Sequence, residues 1–170
     1  MYNQCIIVGD DTEMAFEKAK SHLEKYQLSE KIKLFDVSSA TVALAAAALG
    51  TDEAKIAKSL SFVTPSGAIL VVCAGDTKVD NRKYKETFET KAKMLSFEDV
   101  EITIGHAVGG VCPFGVNPDV KIYLDESLRR FDVVYPAAGT SNSAVELTIE
   151  ELERASEAIG WVDVTSVREA

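Results

Sequence analysis

The feature that most constrains the fold is a pair of apolar runs at residues 60–75, separated by the sequence Pro65-Ser66-Gly67. Proline and glycine so placed are typical of a tight turn, so the segment predicts a β-hairpin. The second run, from Ile69 to Val72, has no polar face. A strand that is apolar on both faces is covered on both faces, which predicts a central position in a sheet.

Helical and extended patterns alternate irregularly around this hairpin. Apolar spacing and capping signals predict helices over residues 12–27, 40–49, 80–88, 97–103 and 149–159, and a short helix that begins at Thr51 and runs into residues 56–60. Strands are predicted at 32–37, 120–124, 132–139 and 143–148. This order predicts an α/β (α+β) fold. We expect a mixed sheet, curled or closed into a barrel with helices packed outside, in a single domain over residues 1–170.

Charge and cysteine content narrow the possible functions. The net charge of −9 argues against sequence-independent nucleic-acid binding as the main activity. Three cysteines without paired spacing (Cys5, Cys73 and Cys112) predict free thiols in a reducing compartment, hence a cytoplasmic protein. The N-terminus has no basic region before its short apolar stretch, so we expect no signal peptide. With two histidines and no CxxC, we expect neither a metal nor a cofactor.

The loop at residues 109–115, with the sequence GGVCPFG, is the densest candidate site. Glycines allow backbone N–H groups to approach a ligand, and consecutive amides can bind an anion. One alternative is a nucleophilic Cys112 with His106 as its base. Another is an ordinary turn between two strands. We favour the backbone cradle, with Cys112 as a pocket wall, because nothing in the sequence fixes a Cys–His geometry.

Three further segments each admit two interpretations. Lys58, predicted where a helix meets an apolar strand, either extends to solvent or holds a substrate oxygen. The polar turn at residues 139–143 is either a hairpin tip or part of a pocket. The basic segment at residues 78–93, with six Lys or Arg against three acids, is either a solvated face or an RNA-binding lip.

Taken together, these motifs resemble the YbaK/EbsC family, the aminoacyl-tRNA editing domains associated with prolyl-tRNA synthetase. The resemblance rests on AKSLSF before the hairpin, GHAVGGVCPFG in the middle and PAAGTSNSAVELT near the end. It extends over residues 20–164. It implies a curled mixed sheet and hydrolysis of the ester that joins a wrong amino acid to a tRNA 3′ end. It implies neither a metal nor a covalent protein nucleophile.

The resemblance also implies roles for individual residues. Lys58 matches the family's characteristic lysine, and Gly109 to Pro113 match its glycine-x-x-x-proline loop. Lys58, Gly109 and Gly110 are therefore expected to hold the 3′ end and the ester carbonyl. The substrate pocket is expected to include Val111, Cys112, Pro113, Phe114, Gly139, Thr140, Ser141 and Asn142. Arg82, Lys83 and Lys85 are expected to contact tRNA.

The expected reaction is trans-editing of a mischarged tRNA, tRNA-Pro or a related one, with attack by water or by a group of the substrate. The sequence leaves the amino acid open among cysteine, alanine, serine and threonine. Because the chain is acidic, a synthetase is a possible partner that delivers the tRNA. The alternative is a non-catalytic module that binds an aminoacyl-adenosine-like ligand or the tRNA 3′ end.

Overall fold

The structure, a computed structural model, describes residues 14–168. Its strands are β1 (Ile32–Leu34), β2 (Ile56–Thr64), β3 (Gly67–Ala74), β4 (Thr77–Val79), β5 (Lys121–Asp125), β6 (Val133–Pro136), β7 (Ser143–Val145), β8 (Leu147–Thr148), β9 (Gly160–Val162) and β10 (Thr165–Val167). The α-helices are α1 (residues 14–24), α2 (Val42–Leu49), α3 (Asn81–Phe88), α4 (Phe97–Ile104) and α5 (Ile149–Ser156).

Six strands form the main sheet, in the order β8-β6-β2-β3-β5-β9. β2 pairs antiparallel with β3, and β6 with β8, whereas the β2–β6, β3–β5 and β5–β9 pairs are parallel. The sheet curls into a half-barrel, which confirms the predicted mixed sheet with helices outside it. Two small antiparallel sheets, β1–β7 and β4–β10, flank it.

The predicted central strand is confirmed by the burial of β3 on both faces. Leu70 and Val72 pack in the main core with Phe114, on what we call the loop side of the sheet. Ile69 and Val71 pack in a second cluster with Tyr84 of α3, on what we call the α3 side. Since side chains alternate along a strand, β2 likewise presents alternate residues to the two sides.

Local sequence signals account for most helix ends. Thr41 caps α2 through its side chain, and Gly50 ends that helix with a left-handed φ of 68°. The Asp80 side chain caps α3 by accepting hydrogen bonds from the backbone N–H groups of Arg82 and Lys83. Thr148 and Glu151 form the predicted capping box of α5.

Several predicted elements were wrong in their extent. The strands expected over 32–37 and 132–139 cover only Ile32–Leu34 and Val133–Pro136. The helix expected after Thr51 is only a 3-10 turn at Glu53–Lys55, and β2 begins directly at Ile56. The last helix ends at Ser156 rather than at 159, because Glu157 is left-handed, and Gly160 begins β9. The strand expected over 143–148 is divided into β7 and β8, which pair with different strands. The first helix ends at residue 24 instead of 27.

Cys5 and the N-terminal stretch considered above lie outside the described residues. Cys73 and Cys112 are both buried and unpaired. Between residues 14 and 168, none of the helices has the length and apolar character needed to cross a membrane.

Candidate active site

A cleft of about 370 Å³ opens beside the first half of β2, between α2, α4 and the glycine loop. Its walls are largely apolar, with a few polar groups converging on it, as is usual for ligand sites. The polar groups include four serines, Ser39, Ser59, Ser61 and Ser143. The Ser59 hydroxyl is buried and finds no hydrogen-bond partner within residues 14–168. An unpaired buried hydroxyl costs about 1–3 kcal/mol, so Ser59 is a polar group of the cleft whose hydrogen-bonding capacity is unused.

Lys58 lines this cleft from the third position of β2, not from a helix end as its sequence context suggested. Its register partner is Cys73, which places the Lys58 side chain on the α3 side of the sheet, opposite Ser59. The ammonium donates a hydrogen bond to the Thr77 carbonyl. Partial burial lowers the pKa of Lys58, since it disfavours the charged form, and the nearby Asp76 acts in the opposite direction.

The first glycines of the loop play different parts. Gly109 lines the cleft with a φ of 97°, a conformation that strongly favours glycine. Gly110 has no room for a side chain, because a Cβ there would lie 2.7 Å from the Gly139–Thr140 peptide. The Gly110 N–H already donates to the Ala107 carbonyl at 3.0 Å. Among the predicted backbone donors, Gly109 thus lines the cleft, whereas Gly110 joins two loops.

The second half of the loop faces the core. Val111 lines the cleft, but Cys112, Pro113 and Phe114 are buried beneath it. The structure does bring Cys112 near His106, with Sγ 3.6 Å from Nε2. Nε2 lies 2.7 Å from the Phe114 carbonyl, which can only accept, so Nε2 carries the proton and cannot take one from the thiol.

Burial sets the protonation of this pair. Burial raises the pKa of the Cys112 thiol to about 12. Burial also lowers the pKa of His106, because the charged imidazolium would be poorly solvated there. A neutral thiol beside a neutral imidazole lacks the activation that a cysteine nucleophile needs. The geometry therefore favours our prediction that Cys112 is not a nucleophile. Cys112 is 0% exposed and is not among the residues that line the cleft, so the structure does not make it the pocket wall that we predicted.

The polar turn opens on a different pocket. Gly139, Thr140 and Ser141 line, with Gly110, a neighbouring cavity of about 520 Å³ between α1 and α4. Asn142 is exposed, and its side chain donates to the Phe35 carbonyl at 3.2 Å. Val111 thus lines the cleft and the 139–141 turn lines the neighbouring cavity, and the glycine loop contributes to the walls of both. The other predicted substrate-binding residues line neither of these two cavities: Cys112, Pro113, Phe114 and Asn142.

The three predicted tRNA contacts lie on α3 and are not among the residues that line the cleft. Arg82 and Lys85 are exposed. Lys83 is half-buried, and its ammonium donates to the Asp163 carboxylate at 3.0 Å and the Thr165 carbonyl at 2.9 Å. Lys83 therefore connects α3 to the β10 region, which is a structural role. Arg82 and Lys85 are the exposed cations of this set, and the Arg82 Nε lies 3.9 Å from the Glu86 carboxylate.

The sequence interpretation overlooked the serines of the cleft. Ser59 and Ser61 alternate with Lys58 and Leu60, so a period of two would have placed both hydroxyls on one face of an otherwise apolar strand. No comparable signal marked Ser39, whose hydroxyl lies 3.4 Å from the carbonyl of Ser143.

Within the described residues, no three His, Cys, Asp or Glu side chains come together as a metal site would require.

The structure is therefore an α/β domain with a half-barrel sheet and one cleft lined by a lysine, several serines and a glycine loop. Residues 36–155 match the aminoacyl-tRNA editing domain. The chain belongs to that family, which confirms the YbaK/EbsC resemblance.

Several known proteins are similar to this chain. YwhH of Bacillus subtilis (strain 168), an uncharacterized protein, is 45% identical over 152 residues, which cover 89% of this chain and 97% of YwhH. EbsC of Enterococcus faecalis (strain ATCC 700802 / V583), for which Cys-tRNA(Pro)/Cys-tRNA(Cys) deacylation has been proposed, is 29% identical over 63% of this chain and 66% of EbsC. The proline–tRNA ligase of Bacillus cereus (strain AH820) is 23% identical over 90% of this chain, which spans only 25% of the ligase.

A solved structure supports the same assignment. The crystal structure of a protein proposed to be a trans-editing enzyme for prolyl-tRNA synthetase superposes with a TM-score of 0.80 at 29% identity. The match covers 89% of this chain and 97% of that protein.

Proposed function

We propose that this protein is an aminoacyl-tRNA deacylase, which hydrolyses the ester between a wrongly attached amino acid and the 3′-terminal ribose of a tRNA. One observation carries the proposal. In a chain of the editing-domain family, one cleft is lined by Lys58, Gly109 and Ser59, and the Ser59 hydroxyl has no hydrogen-bond partner within the described residues. A positively charged donor, a glycine backbone and an unpaired hydroxyl are the groups that can hold an ester and stabilise its oxyanion.

The lysine and the glycine loop would act on the ester carbonyl. An ammonium has three N–H donors, and the Thr77 carbonyl takes one of those on Lys58. In the proposed complex, one of the other two would donate to a substrate oxygen. Because Gly109 has no side chain, the substrate could approach its backbone more closely than at any other residue type. One such preorganised donor contributes a factor of about 10²–10³ to the rate.

The attacking group would be a water or a nucleophilic group of the attached amino acid. Its bond to the carbonyl carbon forms, the bond from that carbon to the ribose oxygen breaks, and the ribose oxygen takes up the proton. In either case the buried hydroxyl of Ser59 would position the attacking group or the amino group of the substrate. The thiol of Cys112 takes no part, because its high pKa leaves it protonated.

Cleft size and the names of the relatives suggest the substrate. A cavity of about 370 Å³ that must also receive the terminal ribose suits a small amino acid. The activities proposed for EbsC and for the structural relative point to tRNA-Pro. We propose that a prolyl-tRNA synthetase is the partner and that the reaction takes place in the cytoplasm, without a cofactor and within a single domain.

A panel of tRNAs tests the proposal. tRNA-Pro and tRNA-Cys would be charged with labelled cysteine, alanine, serine, threonine or proline, and amino acid release would be measured under single-turnover conditions. We expect rapid release of at least one small amino acid from tRNA-Pro and none from correctly charged prolyl-tRNA. Binding without release across the whole panel would favour the second candidate, a non-catalytic module that holds the aminoacyl 3′ end.

A further inference from the structure

Phe97 occupies an unusual position on α4. Phe97, Val100 and Ile104 are spaced i, i+3 and i+7, so they share one face of the helix. Val100 and Ile104 are 5% and 0% exposed, as a core-facing stripe requires, whereas Phe97 is 77% exposed. Phe97 also lines the cleft. The ring therefore continues the core-facing stripe past the edge of the core, to the mouth of the candidate site.

The backbone that carries Phe97 is fixed to the strand that carries the site. The Val63 N–H donates to the Lys93 carbonyl at 2.8 Å, and the Leu95 N–H donates to the Ser61 carbonyl at 3.1 Å. Residues 93–95 thus run beside β2, and Leu95 packs against the main core. The position of Phe97 relative to Ser59 is consequently set by main-chain hydrogen bonds and does not depend on a free loop.

The charges on the two sides of Phe97 differ in sign. Lys91 and Lys93 precede it and are exposed. Glu98 and Asp99 follow it in the first turn of α4, and Asp99 accepts a hydrogen bond from the Ser96 hydroxyl at 2.8 Å. These two acids disfavour a phosphate at the helix N-terminus. The ring suits an uncharged planar group, and the lysines suit a phosphate.

We propose that Phe97 stacks on an unpaired base at the 3′ end of the tRNA while Lys91 and Lys93 contact its phosphates. Proteins recognise single-stranded RNA by this combination of an exposed aromatic ring and adjacent cations. The inference rests on the proposed function, because it places the unpaired nucleotides beside the cleft that would hold the ester. It moves the expected RNA contact from α3 to the segment 91–97.

The test uses an acceptor-stem minihelix that ends in the unpaired tRNA sequence, with 2-aminopurine in place of the terminal adenine. Stacking quenches 2-aminopurine fluorescence, so the wild-type protein should quench it on binding. Phe97→Ala should abolish the quench and raise the Kd by roughly tenfold or more, on the scale of one base–aromatic stack. Phe97→Trp should restore both. Ile102→Ala is the matched control, because Ile102 is 81% exposed on the same helix but lines the other cavity.

Two double variants locate the phosphate contacts. Lys91→Ala with Lys93→Ala should weaken minihelix binding and flatten its salt dependence, by a slope of about 0.7 for each lost contact with a single strand. Arg82→Ala with Lys85→Ala should change both much less. The reverse order would overturn the placement on 91–97 and restore the α3 contact.

The outcomes separate this inference from the deacylase proposal. If the wild-type protein quenches the probe and releases no amino acid from any charged tRNA, the stacking role stands and the deacylase proposal fails. If it releases amino acid while Phe97→Ala keeps the wild-type quench and KM, the deacylase stands and the stacking role is wrong. In the expected result, Phe97→Ala raises KM and leaves kcat at saturation close to wild type.

Discussion

The two halves of the glycine loop are adjacent in sequence and opposite in character. Gly109 and Val111 open on a cleft that also holds Lys58 and an unpaired serine hydroxyl. Cys112 and Phe114, a few residues further, are 0% exposed. The cleft side contains groups with hydrogen-bonding capacity to spare. The buried side contains a thiol and an imidazole that burial keeps neutral.

The difference shows why residue type alone is a poor guide to this site. Cysteine and histidine are the residue types of this loop that most often take part in catalysis. Here Cys112 Sγ lies 3.6 Å from His106 Nε2. Desolvation has removed the charge that either would need for catalysis. The serines and the lysine are less reactive residue types, yet they are the residues that line the cleft.

The largest expected effect lies on the cleft side, at Lys58. Lys58→Met keeps most of the volume of the stem and removes the ammonium, so we expect a folded protein whose single-turnover deacylation falls by at least about 10²-fold. Lys58→Arg should also be impaired, since a planar fork does not occupy the position of a compact ammonium. Amino acid release from pre-charged tRNA and a melting curve for each variant provide the measurement.

Lys55 supplies the control for this experiment. It lies three residues earlier, in the 3-10 turn, and is not among the residues that line the cleft. Lys55→Met should release amino acid at the wild-type rate. A folded Lys58→Met protein with near wild-type release would show that the ammonium serves only its bond to Thr77.

The second effect concerns Ser59 and links activity to stability. Ser59→Ala removes a buried hydroxyl that has no partner within the described residues, so the free energy of unfolding should stay constant or rise by up to about 1 kcal/mol. Deacylation should fall by about tenfold, because the substrate loses one hydrogen bond of about 1 kcal/mol or slightly more. Chemical denaturation and single-turnover release would be measured on the same preparation.

Ser143→Ala is the matched comparison for stability. The Ser143 hydroxyl donates to the Thr140 carbonyl at 3.2 Å and accepts from the Ala138 N–H at 3.1 Å. Its removal leaves both groups unpaired and should destabilise the protein by about 1–3 kcal/mol. Equal destabilisation by the two substitutions would mean that Ser59 has a hidden partner in the free protein and is not reserved for substrate.

Those parts of the molecule that depend on local signals were predictable from the sequence. The hairpin followed from its turn residues, the end of α2 followed from Gly50, and the start of α5 followed from the Thr148–Glu151 capping box. The three-residue strands β4, β9 and β10 were not predicted. Segments so short contain too few residues for a period to show, and long-range pairing decides their conformation.

The site was predictable only in part, for a similar reason. Lys58 and Gly109 were recognised through motifs, and both line the cleft. The sequence did not predict that Gly110 and Gly139 lie outside this cleft. Their position depends on a close contact between two loops, and these two glycines are 29 residues apart in sequence. Ser39 lies at the cleft because β1 pairs with β7, which brings the segment after β1 next to Ser143. No local sequence pattern predicts this long-range pairing.

The third prediction moves to the buried side, where activity should change little. Cys112→Ser should retain deacylation within about threefold of wild type, because a thiol with a pKa of about 12 is not an attacking group at neutral pH. The same change should lower the free energy of unfolding by about 1–2 kcal/mol, since it places a more polar atom in an apolar site. Release assays and denaturation curves measure the two effects.

Mass spectrometry of the wild-type protein during turnover gives an independent check. No acyl-enzyme should accumulate. An inactive but folded Cys112→Ser protein, together with labelled amino acid bound covalently to the wild type, would establish Cys112 as the nucleophile and reverse our interpretation of the loop.

The smallest expected effect is a pH dependence of stability from His106. Burial lowers the pKa of His106 in the folded protein, whereas in the unfolded chain it titrates near its ordinary value of about 6.5. Below about pH 6.5 the unfolded state therefore binds a proton that the folded state does not, and the free energy of unfolding falls as the pH decreases. At pH 7.5 and above, both states are neutral at this position and the effect disappears. Urea denaturation between pH 7.5 and 5.5 should show this loss in the wild type.

His106→Gln should flatten that dependence at some cost in overall stability, because an amide can still donate to the Phe114 carbonyl, which lies 2.7 Å from Nε2 in the wild type. His22→Gln keeps His106 and should preserve the pH dependence. The Nδ1 atom of His106 has no hydrogen-bond partner within residues 14–168, so protonation there would add a buried charge with nothing to receive it. A wild-type protein whose stability stays constant over this range would show that water or movement of the loop hydrates the imidazolium, and the buried half of the loop would then be more open than its contacts indicate.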